Sequence, residues 1–107
     1  MKYRDFLCLA LEHPDLANPS LHKVDYQGLT FDGDRMKFEK YDWYVTLMLN
    51  VCAEIARTDP KKQDMITNTL TLHKDYFCSE YWKSTFDEDY WNPRMRKLLK
   101  KVMVEGA

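Results

Sequence analysis

Three histidines and three cysteines are the residues of this chain with the chemistry of metal ligands or nucleophiles. His73 and Cys78 are five positions apart, whereas a spacing of three or four places two side chains on one face of a helix. The sequence contains no CxxC pair and no ligand spacing typical of zinc. It also contains no GxSxG turn, no glycine-rich phosphate loop and no HExxH. We therefore predict no catalytic residue, no cofactor and no metal site.

Three consecutive carboxylates, Asp87, Glu88 and Asp89, are a second cluster with chemical potential. Acid–base catalysis by paired carboxylates normally takes them from facing elements at set separations. Consecutive carboxylates on a helix instead point outward in different directions. Negative charge at the start of a helix also offsets the positive end of the helix dipole. The structural role is therefore the favoured interpretation of this cluster.

The segment FCSEYWKSTFDEDYW, residues 77–91, carries six aromatic side chains in fifteen positions. Four of them are candidates for a ligand-binding corner: Tyr81, Trp82, Tyr90 and Trp91. Such a group can form an aromatic cage for a cation. More often it fills the corner between two helices, with the polar tips of Tyr and Trp directed to water or backbone. The packing interpretation is favoured, and the binding interpretation stays open.

The last segment with a helical pattern, PRMRKLLKKVMV, is basic and amphipathic. Its cations have no acid among them and form a candidate interaction surface: Arg94, Arg96, Lys97, Lys100 and Lys101. A helix of this kind can lie on an anionic membrane surface or bind a partner. It is equally compatible with a bundle helix whose basic face is solvated and partly neutralised by Asp87–Asp89.

The elements that must position these residues are helices. Three glycines and four prolines are too few for a turn-rich β-sandwich. Apolar residues recur at intervals of three and four over four segments, about 3–12, 35–57, 61–82 and 93–104. Residues 14–34 are predicted to form a long irregular connector with a short extended piece at Leu29–Phe31. The fold class is therefore predicted to be all-α, a four-helix bundle-like single domain over residues 1–107 with this connector between helices 1 and 2.

Local signals predict where the helices begin. Asp34, Asp59 and Asn92 are predicted N-caps, and a proline follows directly after two of them. Thr85-x-x-Glu88 matches the capping-box pattern for a short helical turn. The stretch from Trp43, WYVTLMLNVCAEIA, is interrupted by polar residues and is interpreted as a buried core helix rather than a membrane span.

Charge and cysteine usage limit the partners and the compartment. With 16 basic and 17 acidic residues, the net charge of −1 gives no general attraction to nucleic acid. We therefore predict no nucleic-acid partner. Three widely spaced cysteines with no CxxC indicate free thiols, which favour a reducing cytoplasm.

The chain resembles a set of uncharacterised bacterial proteins in three places. These are LALEHPDLA near the start, the aromatic motif around Phe77, Ser79, Tyr81 and Trp82, and the pair Tyr90 and Pro93. In those proteins a short N-terminal transmembrane helix precedes an all-helical module of about this size. The resemblance implies a helical fold, and it implies that the chain is either a soluble relative of these proteins or a soluble fragment of one. In the second case it implies a location at the inner face of the cell membrane, because a transmembrane helix would have been removed. It implies no activity and no catalytic residues.

Two classes of function follow. The first is a non-enzymatic helical protein-interaction module with a protein partner, or a second copy of itself as a homodimer, and with peripheral contact to an anionic membrane. The alternative is an enzyme or small-ligand receptor with a pocket between the 14–34 connector and the 77–91 aromatic corner. A buried cluster of His13 or His22 with Asp25, Asp32 or Asp87 would favour this alternative, because convergent polar groups in a deep concavity mark such sites. The sequence favours the first class.

Overall fold

Most of the chain is helical in a computed structural model that describes residues 10–105. The α-helices are α1 (Pro14–Ala17), α2 (Arg35–Thr58), α3 (Gln63–Thr71), α4 (Lys74–Cys78), α5 (Glu80–Lys83) and α6 (Pro93–Glu105). Residues 10–12 are also helical, and the rest of the predicted first helix lies outside the described residues. The prediction of an all-α fold is confirmed. No described helix combines the length and the apolar character needed to cross a membrane.

The 14–34 connector is more regular than the sequence predicted. After α1 it contains a 3₁₀ turn (Pro19–Leu21) and two short antiparallel strands, β1 (Val24–Asp25) and β2 (Thr30–Phe31). The predicted extended piece is thereby confirmed as β2. An Asp25 carboxylate oxygen accepts the backbone N–H groups of Gln27 and Gly28, each at 3.0 Å, and this closes the turn between the strands.

The chain forms two compact units that divide between Val51 and Cys52, inside α2. In the first unit, the predicted apolar stripe of α2 is the core, and Tyr41, Val45 and Met48 are fully buried. The ring of Phe31, on β2, lies 5.3 Å from the ring of Tyr41. The two-stranded ribbon is therefore packed on α2 through its second strand.

In the second unit, the core consists of apolar residues from α3, α4 and α6, among them Ile66, Leu70, Phe77, Met95 and Leu99. The prediction of one continuous helix over 61–82 is wrong, because the helix is interrupted at residues 72–73 and again at Ser79. Ser79 has extended backbone, and its hydroxyl oxygen accepts the N–H of Trp82 at 3.2 Å. Serine favours this N-cap role over a position inside a helix, so a new helix begins here.

The predicted N-caps are confirmed. Carboxylate oxygens of Asp34 and Asp59 accept backbone N–H groups from the first turns of α2 and of the 3₁₀ turn Pro60–Lys62. Asn92 does the same for Met95 in α6 at 3.0 Å. The capping-box prediction for Thr85 is wrong. Its hydroxyl donates back to the Trp82 carbonyl, and Asp87 caps the 3₁₀ turn Glu88–Tyr90 instead.

Candidate functional site

An open groove of about 440 Å³ runs along the N-terminal half of α2 in the first unit. Its lining consists of His13, Leu16, Lys40, Trp43, Tyr44 and Leu47. Lys40, Trp43 and Leu47 follow one another at intervals of three and four, so they share a face of α2. Leu16 and Tyr44 are nearly fully buried and form the floor. We call this feature the Trp43 groove.

Trp43 is the most unusual residue of the groove. Its side chain is 64% exposed, although the sequence predicted that the segment from Trp43 would be a buried core helix. That part of the prediction is wrong. Trp43 belongs to a row with Met36, Lys40 and Leu47, and this row lies on the far side of α2 from the core residues Tyr41, Val45 and Met48. The spacing of this row is visible in the sequence, but its exposure is not.

A polar cavity of about 340 Å³ continues the groove toward the start of α2. It shares His13, Leu16 and Lys40 with the groove and adds Asp15, Asp34, Met36 and Lys37. The ammonium of Lys37 lies 2.8 Å from a carboxylate oxygen of Asp15 and 3.7 Å from one of Asp32. The hydrogen bond from Lys37 holds the pKa of Asp15 below its ordinary value, and Asp15 in turn raises the pKa of Lys37. Lys40, three residues later, makes no ion pair with any residue of 10–105.

His22 and Asp32 form the kind of pair that could orient a general base. His22 Nδ1 lies 2.7 Å from Asp32 Oδ2, and the ring of His22 packs against that of Phe31 at 5.3 Å. The side chains are 30% and 38% exposed, however, and neither residue lines the Trp43 groove or its polar extension. The pair therefore differs from the buried cluster that would favour an enzyme.

The predicted basic surface on α6 is partly neutralised. Lys100 lies 2.7 Å from Glu88 and Arg96 lies 4.0 Å from Asp89, as expected for acids placed just upstream. The proximity of Lys100 lowers the pKa of Glu88. Four apolar residues of the helix, Met95, Leu98, Leu99 and Val102, are buried, whereas Val104 near its end is exposed.

Three predicted cations remain on one row of α6, since Arg94, Lys97 and Lys101 are separated by three and four residues. Arg94 donates a hydrogen bond to the carbonyl oxygen of Ala56 at 3.4 Å. Lys97 and Lys101 are exposed and make no ion pair within the described part of the chain.

The aromatic corner separates into a core part and a surface part. Trp82 is 7% exposed, and its ring lies 5.1 Å from that of Phe77. Tyr81 is half-buried, with its ring 6.0 Å from that of Tyr76. Tyr90 and Trp91 form a perpendicular pair at 4.9 Å, in which Tyr90 is largely exposed. For Trp82, burial supports the packing interpretation, although its indole N–H has no hydrogen-bond partner among the described residues.

The described cysteines and metal-ligating side chains offer little chemistry. Burial raises the pKa of the Cys52 thiol to about 12, so it is protonated and unreactive at neutral pH. The Cys78 thiol donates to the carbonyl oxygen of Met103 at 3.5 Å. Within residues 10–105, no group of three or more His, Cys, Asp or Glu side chains is placed to hold a metal ion.

No protein-family model, no curated protein and no solved structure matches this chain. Its function therefore has to be inferred from the geometry of its own surfaces. Among those described above, the Trp43 groove combines concavity, apolar lining and a cation, Lys40, that makes no ion pair with any residue of 10–105.

Proposed function

We propose that this protein is a non-enzymatic interaction module that binds an amphipathic helix of a partner protein in the Trp43 groove. The observation that carries the proposal is the 64% exposure of Trp43 beside an apolar concavity. Tryptophan is enriched among the few residues that dominate the energy of protein interfaces. Burying its exposed surface would provide a large share of the binding free energy.

The shape of the groove favours a helix over a small molecule. The row from Met36 to Leu47 covers eleven residues of rise, which is about 16 Å along α2. A helix laid along it would place anchors from successive turns against Met36, Trp43 and Leu47. Pockets for small ligands usually bury about 70–90% of the ligand. A groove that leaves Trp43 so exposed would leave a small ligand exposed as well.

The polar groups near the groove support binding rather than catalysis. Asp15 is engaged by Lys37, and Asp34 caps α2. The described lining offers no serine, threonine or cysteine as a nucleophile. The residues in place can therefore hold a partner but supply no activated group.

We also infer a cytoplasmic location. Cys52 and Cys78 are free thiols, which persist most readily in a reducing compartment. The resemblance to membrane-tethered bacterial modules adds a location at the inner face of the cell membrane to this proposal.

Site-specific photo-crosslinking in cells tests the proposed function. A photoreactive amino acid at Met36, which is exposed on the same row of α2 and leaves Trp43 in place, should form a discrete adduct, and the adduct should be lost when Leu47→Asp is added. The matched control is the same amino acid at Gln27, which is exposed in the turn of the ribbon and does not line the groove. Thermal denaturation of each variant checks that it is folded. Equal adducts at both positions, or an adduct that persists with Leu47→Asp, would contradict the proposal.

A further inference from the structure

The charge of the groove points to a particular kind of partner helix, an inference that rests on the proposed function. We infer that the Trp43 groove selects a helix of a partner protein with an aspartate or glutamate one turn away from its apolar anchor. The anchor packs against Trp43 and Leu47, and the carboxylate pairs with Lys40.

The contrast between Lys37 and Lys40 carries this inference. Both line the polar cavity, and they are three residues apart on α2. Lys37 already has two carboxylates, Asp15 at 2.8 Å and Asp32 at 3.7 Å. Lys40 lines both the groove and the cavity and has no carboxylate partner among residues 10–105. An incoming carboxylate can therefore pair with Lys40 without displacing an internal ion pair.

The same contacts disfavour a basic partner helix. The described carboxylates that line the cavity are Asp15 and Asp34. Asp15 is paired with Lys37, and one oxygen of Asp34 accepts the backbone N–H of Met36 at 2.9 Å. A lysine or arginine on the partner would have to compete for groups that already stabilise the fold, and it would approach Lys40.

The spacing along α2 sets the spacing in the partner. Trp43 lies one turn after Lys40, and Leu47 one turn after Trp43. Side chains three or four positions apart on a helix are about 5–6 Å apart at their Cβ atoms. A partner helix lying along this row therefore needs its acid three or four positions from the anchor that contacts Trp43. The direction of the partner helix decides whether the acid or the apolar anchor comes first in its sequence.

Selection from a displayed library of helix-stabilised peptides tests the inference. The library is selected separately on the full chain and on Lys40→Glu and Trp43→Ala. Peptides enriched on the unmodified chain should share an apolar residue with Asp or Glu three or four positions away. Those enriched on Lys40→Glu should carry Lys or Arg at that position, and Trp43→Ala should enrich neither.

The affinity of one enriched peptide and of its Glu→Gln form gives the quantitative test. A rim ion pair of this kind is expected to contribute about two- to fivefold in affinity. Glu→Gln should cause this loss on the unmodified chain and no loss on Lys40→Gln. Arg35→Gln is the matched control, because Arg35 is an exposed cation of α2 that does not line the groove. It should leave the difference between the two peptides unchanged.

The outcomes separate this inference from the proposed function. Peptides that require Trp43 but show no preference linked to Lys40 would overturn the inference and leave the interaction module standing. Absence of any peptide that depends on Trp43 would overturn both. Sedimentation of the chain alone adds a third arm. Self-association abolished by Trp43→Ala and unaffected by Lys40→Gln would identify a second copy as the occupant and overturn the inference.

Discussion

His22 Nδ1 lies 2.7 Å from Asp32 Oδ2, across the two-stranded ribbon of the first unit. The other oxygen of Asp32 accepts the backbone N–H of Lys23 at 2.9 Å, so this carboxylate, which follows β2, binds the residues that precede β1. The hydrogen bond from the Lys23 N–H has the largest effect on the pKa of Asp32, and the hydrogen bond with His22 has the next largest. Both hold this pKa below its ordinary value. Because the pair is half-exposed and links the two strands at the open end of the ribbon, we interpret it as structural.

Substitutions at Asp32 should show this structural role. Asp32 has a φ of 52°, a left-handed conformation that asparagine tolerates much better than alanine does. Asparagine also keeps a side-chain oxygen for the Lys23 N–H. We therefore expect Asp32→Ala to lower the melting temperature more than Asp32→Asn does. Thermal denaturation at pH 7, followed by circular dichroism, measures the difference, and equal melting temperatures would contradict the assignment.

Truncation of Trp82 should reveal whether the aromatic corner is core in solution. Trp82 is 7% exposed and packs against Phe77 and Phe86, so Trp82→Ala should lower the free energy of unfolding by roughly 3–5 kcal/mol. Trp82→Phe should cost less, because it keeps a ring and removes a buried N–H that has no described partner. Tyr90→Ala is the control and should change stability by at most about 0.5 kcal/mol, since Tyr90 is 70% exposed. An unchanged melting temperature for Trp82→Ala would support the ligand-binding interpretation.

Two kinds of feature could be predicted from the sequence: those with a pattern that repeats over many residues, and those that depend on residues only a few positions apart. The core row of α2 repeats over many turns, and the caps Asp34, Asp59 and Asn92 act on N–H groups two or three residues away. Periodicity and side-chain chemistry are enough for both. The breaks in the predicted helix over 61–82 are different, because each competes with a good helical pattern, and a single serine such as Ser79 is compatible with both a cap and a helix interior.

The Trp43 groove could not be predicted from the sequence, because the apolar character of a residue does not show whether it is buried or exposed. Tyr44, Leu47 and Val51 broaden the apolar stripe of α2, and such broadening predicts a central, buried helix in which Trp43 is buried too. The sequence alone does not show which apolar row remains uncovered. In the same way, the pairing of Lys37 with Asp15 joins residues 22 positions apart, and that pairing is what distinguishes Lys40.

Acid should weaken the first unit through its ion pairs. The Lys37 ammonium lowers the pKa of Asp15 from its ordinary value of 3.8. A carboxyl with a lowered folded-state pKa stabilises the fold above the unfolded-state pKa, and this contribution is lost as the pH falls through the folded-state value. We therefore expect the free energy of unfolding, measured by urea denaturation, to fall below about pH 4.

The Asp15→Asn variant should show a shallower fall, since the ion pair is already absent. Asp75→Asn is the control, because Asp75 is an exposed carboxyl with no ion pair in the described part of the chain. Identical pH profiles for Asp15→Asn and the unmodified chain would contradict the assigned pair.

Two substitutions at Asn92 should separate its two hydrogen bonds. Its side-chain oxygen caps α6 through the Met95 N–H at 3.0 Å, and its side-chain N–H donates to the Ala53 carbonyl at 3.1 Å. Asn92→Ala removes both and should cost about 2 kcal/mol. Asn92→Asp keeps the cap and loses the donor, so its stability should be intermediate. Urea denaturation of the three proteins gives the order, and an Asn92→Ala variant as stable as the unmodified chain would contradict a stabilising role for these hydrogen bonds.

The structure of α6 limits the kind of membrane binding that its basic row can support. Most apolar residues of this helix, among them Leu98 and Leu99, are buried in the second unit and cannot insert into a bilayer without unfolding it, and Val104 is the one large apolar side chain that is exposed among its described residues. Any peripheral binding should therefore be electrostatic and weak, at about 1 kcal/mol per cation near an anionic surface. Binding to phosphatidylserine vesicles, measured by co-sedimentation at low salt, should disappear at physiological salt.

Lys97 and Lys101, which make no ion pair within residues 10–105, should account for most of this binding. Reversing both to glutamate should abolish co-sedimentation. The control is the double variant Glu88→Gln with Lys100→Gln, which deletes a 2.7 Å ion pair without changing the net charge. It should bind vesicles as the unmodified chain does. If the unmodified chain shows no binding at low salt, α6 is not a membrane-contacting surface, and its basic row serves only as the solvated face of a packed helix.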